Sequence, residues 1–156
     1  MTESRFVLDT NAVIFLTTRG NVIPSVLEDK LKEADLFISV ISEIELLSKP
    51  KMAADEEENL RAFIAERTII IDLTDDVKNE TIALRRSVKL KLPDCIVAAT
   101  AVVLDSVLLT ADDEPHCRAT GYRRSVRYGL YAGLHPLANK ELLRLDWSGL
   151  KTQNIL

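Results

Sequence analysis

Arg5-Phe6-Val7-Leu8-Asp9-Thr10-Asn11-Ala12-Val13-Ile14-Phe15-Leu16-Thr17 is the stretch on which the fold turns. Residues 5–9 are short, β-favouring and bounded by turn-forming residues, while residues 12–17 are apolar behind Thr10 or Asn11 as the helix-starting residue. The pattern predicts strand, tight turn and helix, with Asp9 at the junction. The same alternation then repeats. Pro24 opens a helix over 24–35 with Val26, Leu27, Leu31 and Ala34 on one face, and residues 36–41 form a second strand. A helix over 42–48 must stop before Pro50. A charged amphipathic helix over 54–67 buries Leu60, Phe63 and Ile64, and 68–73 is an isoleucine-rich third strand. Thr74 caps a helix to about residue 90, residues 93–104 are apolar nearly all round and predict an interior helix, and 106–110 is a fourth strand. Strands that are continuously apolar and separated by helices imply a parallel sheet covered on both faces. The expectation is a three-layer α/β/α domain whose central sheet is mainly parallel, with four to five strands.

Composition bounds the rest. With 156 residues, 47% hydrophobic and 5% aromatic, the chain suits one domain over 1–156 with an aliphatic core. Met1-Thr2-Glu3-Ser4-Arg5 has no cationic segment leading into a long apolar one, and no run reaches membrane-spanning length, so a cytoplasmic protein without a membrane span is expected. Cys95 lies in the apolar helix and Cys117 is the only other cysteine, which argues for reduced thiols rather than a disulfide framework. A net charge of -4 speaks against a simple nucleic-acid coat protein. Much of that acidity falls in residues 28–35, 55–58 and 72–76, which read as solvated helix faces and turns.

Four acids stand where strands end or helices begin: Asp9, Glu45, Asp94 and Asp112. In an open α/β sheet, ligands bind outside the carboxyl ends of the strands, so these side chains can meet there. Carboxylates gathered in one crevice repel unless a cation joins them, and oxygen-only ligands favour Mg²⁺ or Mn²⁺. Each acid has a structural alternative. Asp9 can serve as a turn residue, Ser42 and Glu45 fit a capping box, Asp94 beside Pro93 suits a helix N-terminus, and Asp112 can solvate a loop. Two other acid-gathering classes fit less well. A receiver domain would use Asp72 and needs a lysine after a later strand, where Ala111 stands, and a haloacid-type phosphatase needs Asp-x-Asp, where Asn11 stands.

Phe6-Val7-Leu8-Asp9-Thr10-Asn11, Ile38-Ser39-Val40-Ile41-Ser42-Glu43-Ile44-Glu45-Leu46, Leu92-Pro93-Asp94-Cys95-Ile96-Val97-Ala98-Ala99-Thr100-Ala101 and Leu108-Leu109-Thr110-Ala111-Asp112 resemble the successive signatures of PIN-domain ribonucleases. Within that family the chain looks most like VapC-type toxins of toxin–antitoxin pairs. The resemblance implies that Asp9, Glu45, Asp94 and Asp112 form the catalytic acidic quartet, with Asp9, Asp94 and Asp112 on the metal and Asn11 and Thr110 as polar supports. Glu43 competes in the second motif, but the family spacing before Leu46 favours Glu45. The implied reaction is Mg²⁺- or Mn²⁺-dependent cleavage of single-stranded RNA by activated water, leaving a 5′-phosphate and a 3′-hydroxyl. The implied partners are RNA, a cognate antitoxin whose tail covers the acidic crevice, and a second copy in a homodimer. The alternatives are an RNA-processing nuclease outside such a pair and a catalytically silent RNA-binding or interaction module.

One region departs from the family pattern. Residues 115–139 read as an insertion, with the closing helix and strand displaced to 141–145 and 150–156. The insertion carries Arg118, Arg123, Arg124 and Arg127 among tyrosines and glycines, without an acid, a composition suited to phosphate contact and base stacking. A surface excursion with no role is the other reading. His116, Cys117 and His135 are poorly spaced for zinc.

Overall fold

The computed structural model describes residues 5–110 except 22, 24 and 88, together with the backbone of 127–130. The chain alternates as β1 (Arg5–Leu8), α1 (Thr10–Thr17), α2 (Ser25–Lys32), β2 (Asp35–Ser39), α3 (Val40–Leu47), α4 (Ala54–Arg67), β3 (Ile69–Ile71), α5 (Asp75–Ser87), α6 (Leu92–Val103), β4 (Val107–Thr110) and β5 (Arg127–Leu130). Among the described residues all pairings are parallel, and the sheet order is β3-β2-β1-β4-β5.

Side chains on a strand alternate between faces, and here each face has its own helical layer. Phe6, Leu8, Leu36, Ile38 and Leu109 point to one side, where they pack with Ala12 and Val13 of α1, Leu27 and Leu31 of α2, Leu46 of α3, and Leu60 and Ile64 of α4. Val7, Phe37 and Leu108 point to the other, against Val77 and Leu84 of α5 and the buried run Cys95–Ala101 of α6. This is the three-layer α/β/α arrangement expected, and it explains why β1, β2 and β4 read as continuous apolar runs. The interior position of α6 and of Cys95 is also as expected.

Three departures have physical causes. β3 is an edge strand with Ile69 53% and Ile70 39% exposed, so its isoleucines reflect β propensity more than burial. Val40 and Ile41, predicted to extend the second strand, begin α3 because Ser39 caps it. The sheet's fifth strand is Arg127–Leu130, inside the stretch predicted as an insertion and ahead of 150–156. An arginine and a glycine in four residues hide this strand, the outermost on its side among the described residues, from any apolar pattern. The rest of 115–139, including Arg118, Arg123, Arg124, His116, Cys117 and His135, lies outside the described residues, as do 141–145 and 150–156. Among the described residues no helix is long and apolar enough to cross a membrane.

The central strand predicts its own sensitivity. Leu8, fully buried between α-layers, should lose about 3 kcal/mol on Leu8→Ala, whereas Ile69→Ala at the exposed edge should cost well under about 1 kcal/mol. Urea unfolding of the two variants measures the contrast, and equal midpoints would remove β1 from the centre of the core.

Candidate active site

Parallel pairing continues one residue beyond β1, because the Asp9 N–H donates to the Leu109 carbonyl at 3.1 Å. The registers Leu8↔Ile38 and Leu8↔Leu109 then place Asp9 in one row with Ser39 and Thr110, at the carboxyl ends of three neighbouring strands. β1 is also where the connections diverge. From it the chain builds outward through β2 to β3, then returns to lay β4 on the opposite side. The helices between β1 and β3 cover one face and those between β3 and β4 the other, which makes the β1/β4 edge the switch point of the sheet.

The Asp9 side chain caps α1, with Oδ1 accepting from the Ala12 N–H at 2.6 Å, so Asp9 starts this helix in place of Thr10 or Asn11. The cap does not exclude a ligand role, since a carboxylate has about four acceptor sites. Asn11 is exposed on the first turn of α1, and Thr110 is buried at the end of β4.

Glu45 has lost its structural alternative. The N-cap of α3 is Ser39, whose Oγ accepts from the Ile41 N–H at 3.2 Å. Ser42 therefore lies inside the helix, fully buried, and Glu45 sits on the second turn, beyond reach of the cap. Instead the Glu45 Oε2 accepts from the Thr10 Oγ1 at 2.7 Å, which brings the second acid to the residue that follows the first. Residues two apart on a helix do not share a face, so Glu43 is directed elsewhere, and Glu45 is the acid of this motif that meets α1.

Asp94 arrives from the other layer. α6 ends near the amino edge of the sheet, where Arg5 Nη1 donates to the Leu104 carbonyl at 2.9 Å, and β4 starts three residues after Leu104. The helix runs antiparallel to the strands, so its N-terminus stands at the carboxyl edge, and exposed Asp94 lies in its first turn behind Pro93. α1, α3 and α6 thus all direct N-termini toward the edge that holds the acids. Helix N-termini carry partial positive charge, which favours carboxylates placed beside them.

Asp112, two residues beyond β4, lies outside the described residues. Among the described residues no three His, Cys, Asp or Glu side chains are grouped to hold a metal. The candidate donors that are described, Asp9, Glu45 and Asp94, are all carboxylates, the oxygen chemistry that suits a hard divalent cation. Beside Glu45 a cleft of about 390 Å³ opens between α1, α3 and α4, with Ile14, Leu46 and Met52 apolar and Arg19 and Lys49 cationic in its lining. Sequence reading missed the bond from Thr10 and the cap at Ser39. A capping-type residue directly before a helix was visible at Ser39, but nothing local marks a contact between residues 10 and 45.

The sequence profile of the PIN domain matches residues 6–121, most of the chain and all four motifs. The chain belongs to the PIN domain family. Its fold is similar to a chain of VapBC2 from Rickettsia felis bound to a promoter DNA fragment, with TM-score 0.66 and 21% identity, covering 81% of this chain and 98% of that one. A toxin–antitoxin complex from Klebsiella pneumoniae gives TM-score 0.58 and 26% identity over 78% and 98% of the two chains. FitAcB from Neisseria gonorrhoeae gives TM-score 0.58 and 17% identity over 79% and 95%. No curated protein matches the chain. These likenesses agree with the PIN fold.

The two roles in α3 separate experimentally. Ser39→Ala should destabilise this PIN domain by about 1 kcal/mol through loss of the cap. Glu45→Gln should leave the melting temperature essentially unchanged, and a drop as large as that of Ser39→Ala would return Glu45 to a structural role.

Proposed function

We propose that this PIN domain is a divalent-metal-dependent endoribonuclease and the toxin of a toxin–antitoxin pair. The observation that carries the reading is Asp9 at the β1/β4 switch point, with Glu45 bonded to the adjacent Thr10 and Asp94 brought to the same edge by α6. Asp9, Asp94 and Asp112 are the proposed ligands of Mg²⁺ or Mn²⁺, and Glu45 completes the acidic quartet. Asn11 and Thr110 orient the acids from α1 and β4. A bound divalent cation supplies neutralisation of the phosphodiester and a more acidic water at that edge. The protein's share is to hold the carboxylates on rigid strand ends and helix starts, so that little reorganisation accompanies charge development. No lysine or histidine is required.

The partners follow from the company of the fold. The structures it resembles are named as VapBC and toxin–antitoxin complexes, which supports a cognate antitoxin for this chain. A cytoplasmic homodimer acting on RNA completes the reading. Arg118, Arg123 and Arg124 are proposed to hold RNA phosphates that the acidic body repels. Arg127, the first residue of β5, is proposed to take part with them.

Asp9→Asn and Asp94→Asn, each nearly isosteric, should abolish Mg²⁺-dependent cleavage of single-stranded RNA without unfolding the domain. Expression of the parent should arrest growth and co-expression of a small upstream reading frame should relieve the arrest. Cleavage in excess chelator would sink the metal mechanism. Cleavage without toxicity would favour an RNA-processing nuclease, and RNA binding without cleavage a silent module.

Replacing Arg118, Arg123 and Arg124 together by Ala should weaken RNA binding and flatten its dependence on salt by about one unit of slope per lost phosphate contact. Turnover at saturating RNA should change much less. Filter-binding titrations at several salt concentrations decide this, and an unchanged slope would leave these arginines without an RNA role.

A further inference from the structure

Thr10 occupies an unusual place for a helical threonine. Elsewhere in the domain such hydroxyls turn back on their own helix, as Thr17 does to the Val13 carbonyl, Thr81 to Val77 and Thr100 to Ile96. Thr10 is the first residue of α1, so no preceding turn offers a carbonyl, and the hydroxyl reaches across to Glu45 Oε2 at 2.7 Å. A β-branched side chain has few χ1 states, which keeps that donor aimed.

Glu45 needs such a constraint. It is exposed, and a glutamate on a solvated helix face samples many rotamers. It also lines the cleft with Arg19, Lys49, Asp55 and Glu56, and Lys49 stands four residues on, the spacing at which a glutamate and a lysine pair along a helix. In the structure Lys49 is paired with Glu56 at 2.6 Å, and Glu45 is turned toward α1. The bond engages Oε2, while Oε1 accepts no hydrogen bond among the described residues. Asp9 is held by its ladder bond and its cap, and the side chain of the next residue, Thr10, connects this frame of the first acid to the carboxylate of the second.

We propose that Thr10 is a positioning residue for Glu45, holding its carboxylate against the start of α1, next to Asp9. The inference rests on the nuclease reading. In this role Thr10 acts through Glu45. Being exposed, its bond adds little to stability, so its loss is felt in ion affinity.

The test uses Thr10→Val, which keeps the β-branch and removes the donor, and Thr10→Ser, which keeps the donor. Calorimetric titration of the RNA-free protein with Mn²⁺ should show affinity lowered about 10-fold in Thr10→Val, the scale of removing a group that orients a ligand. Thr10→Ser should restore most of that loss, and both melting temperatures should match the parent. On a Glu45→Gln background Thr10→Val should add nothing, because its effect runs through the same carboxylate. Cleavage by Thr10→Val should recover at raised Mn²⁺. Unchanged affinity in Thr10→Val, an equal loss in Thr10→Ser, or a full additional loss on the Glu45→Gln background overturns the role of Thr10 alone. A parent protein that takes up no Mn²⁺ overturns the nuclease reading and this inference with it.

Discussion

The parallel ladder through β1 is the constraint on which the molecule depends. A parallel strand cannot be reached by a hairpin, so each neighbour of β1 requires a crossover, and the crossovers here fill both faces. β1 pairs with β2 on one side and β4 on the other, leaving Val7 and Leu8 with no exposed surface. Such a strand has no position for a charge along its buried length. The first residue able to carry one is the residue that leaves the sheet, and the bond from Asp9 N–H to the Leu109 carbonyl fixes where that residue stands. The acidic edge follows from the same interaction that orders the core.

The carboxyl edge of the sheet is also where helices begin. Three helices aim their N-termini at the edge, and Asp9 spends part of its charge on the Ala12 N–H. Structural and chemical roles are therefore not competitors at Asp9, since the capping bond is what orients the carboxylate. Glu45 differs, with a backbone cap supplied by Ser39 and its own side chain turned to a neighbouring helix. The remaining acids are managed separately, mostly in solvent and partly in exposed pairs such as Glu28 with Lys32 and Glu57 with Arg61, which screen easily and contribute little.

The two sheet edges show how far burial controls composition. β3 is three residues long and exposes two isoleucines, and β5 contains arginine and glycine yet pairs fully with β4. Edge strands have a backbone partner on one side only, so they tolerate sequences that a central strand would reject. The arginine-bearing stretch thereby contributes to the sheet at 127–130.

The sequence by itself determined the layer architecture, because apolar runs of strand length alternating with helical periods admit a parallel sheet and little else. It also located Asp9 and Asp94, since each stands where local grammar changes from one element to the next. Only the tertiary structure decided which strands are neighbours, and hence that Asp9, Ser39 and Thr110 share a row, because pairing depends on crossovers between distant segments. It alone separated Glu45 from a capping box, since Ser39 and Ser42 are both competent caps and the choice rests on where β2 must end against β1. The bond between Thr10 and Glu45 had no local signature at all. It exists because two helices, each short and polar at that point, are docked side by side on the same face of the sheet.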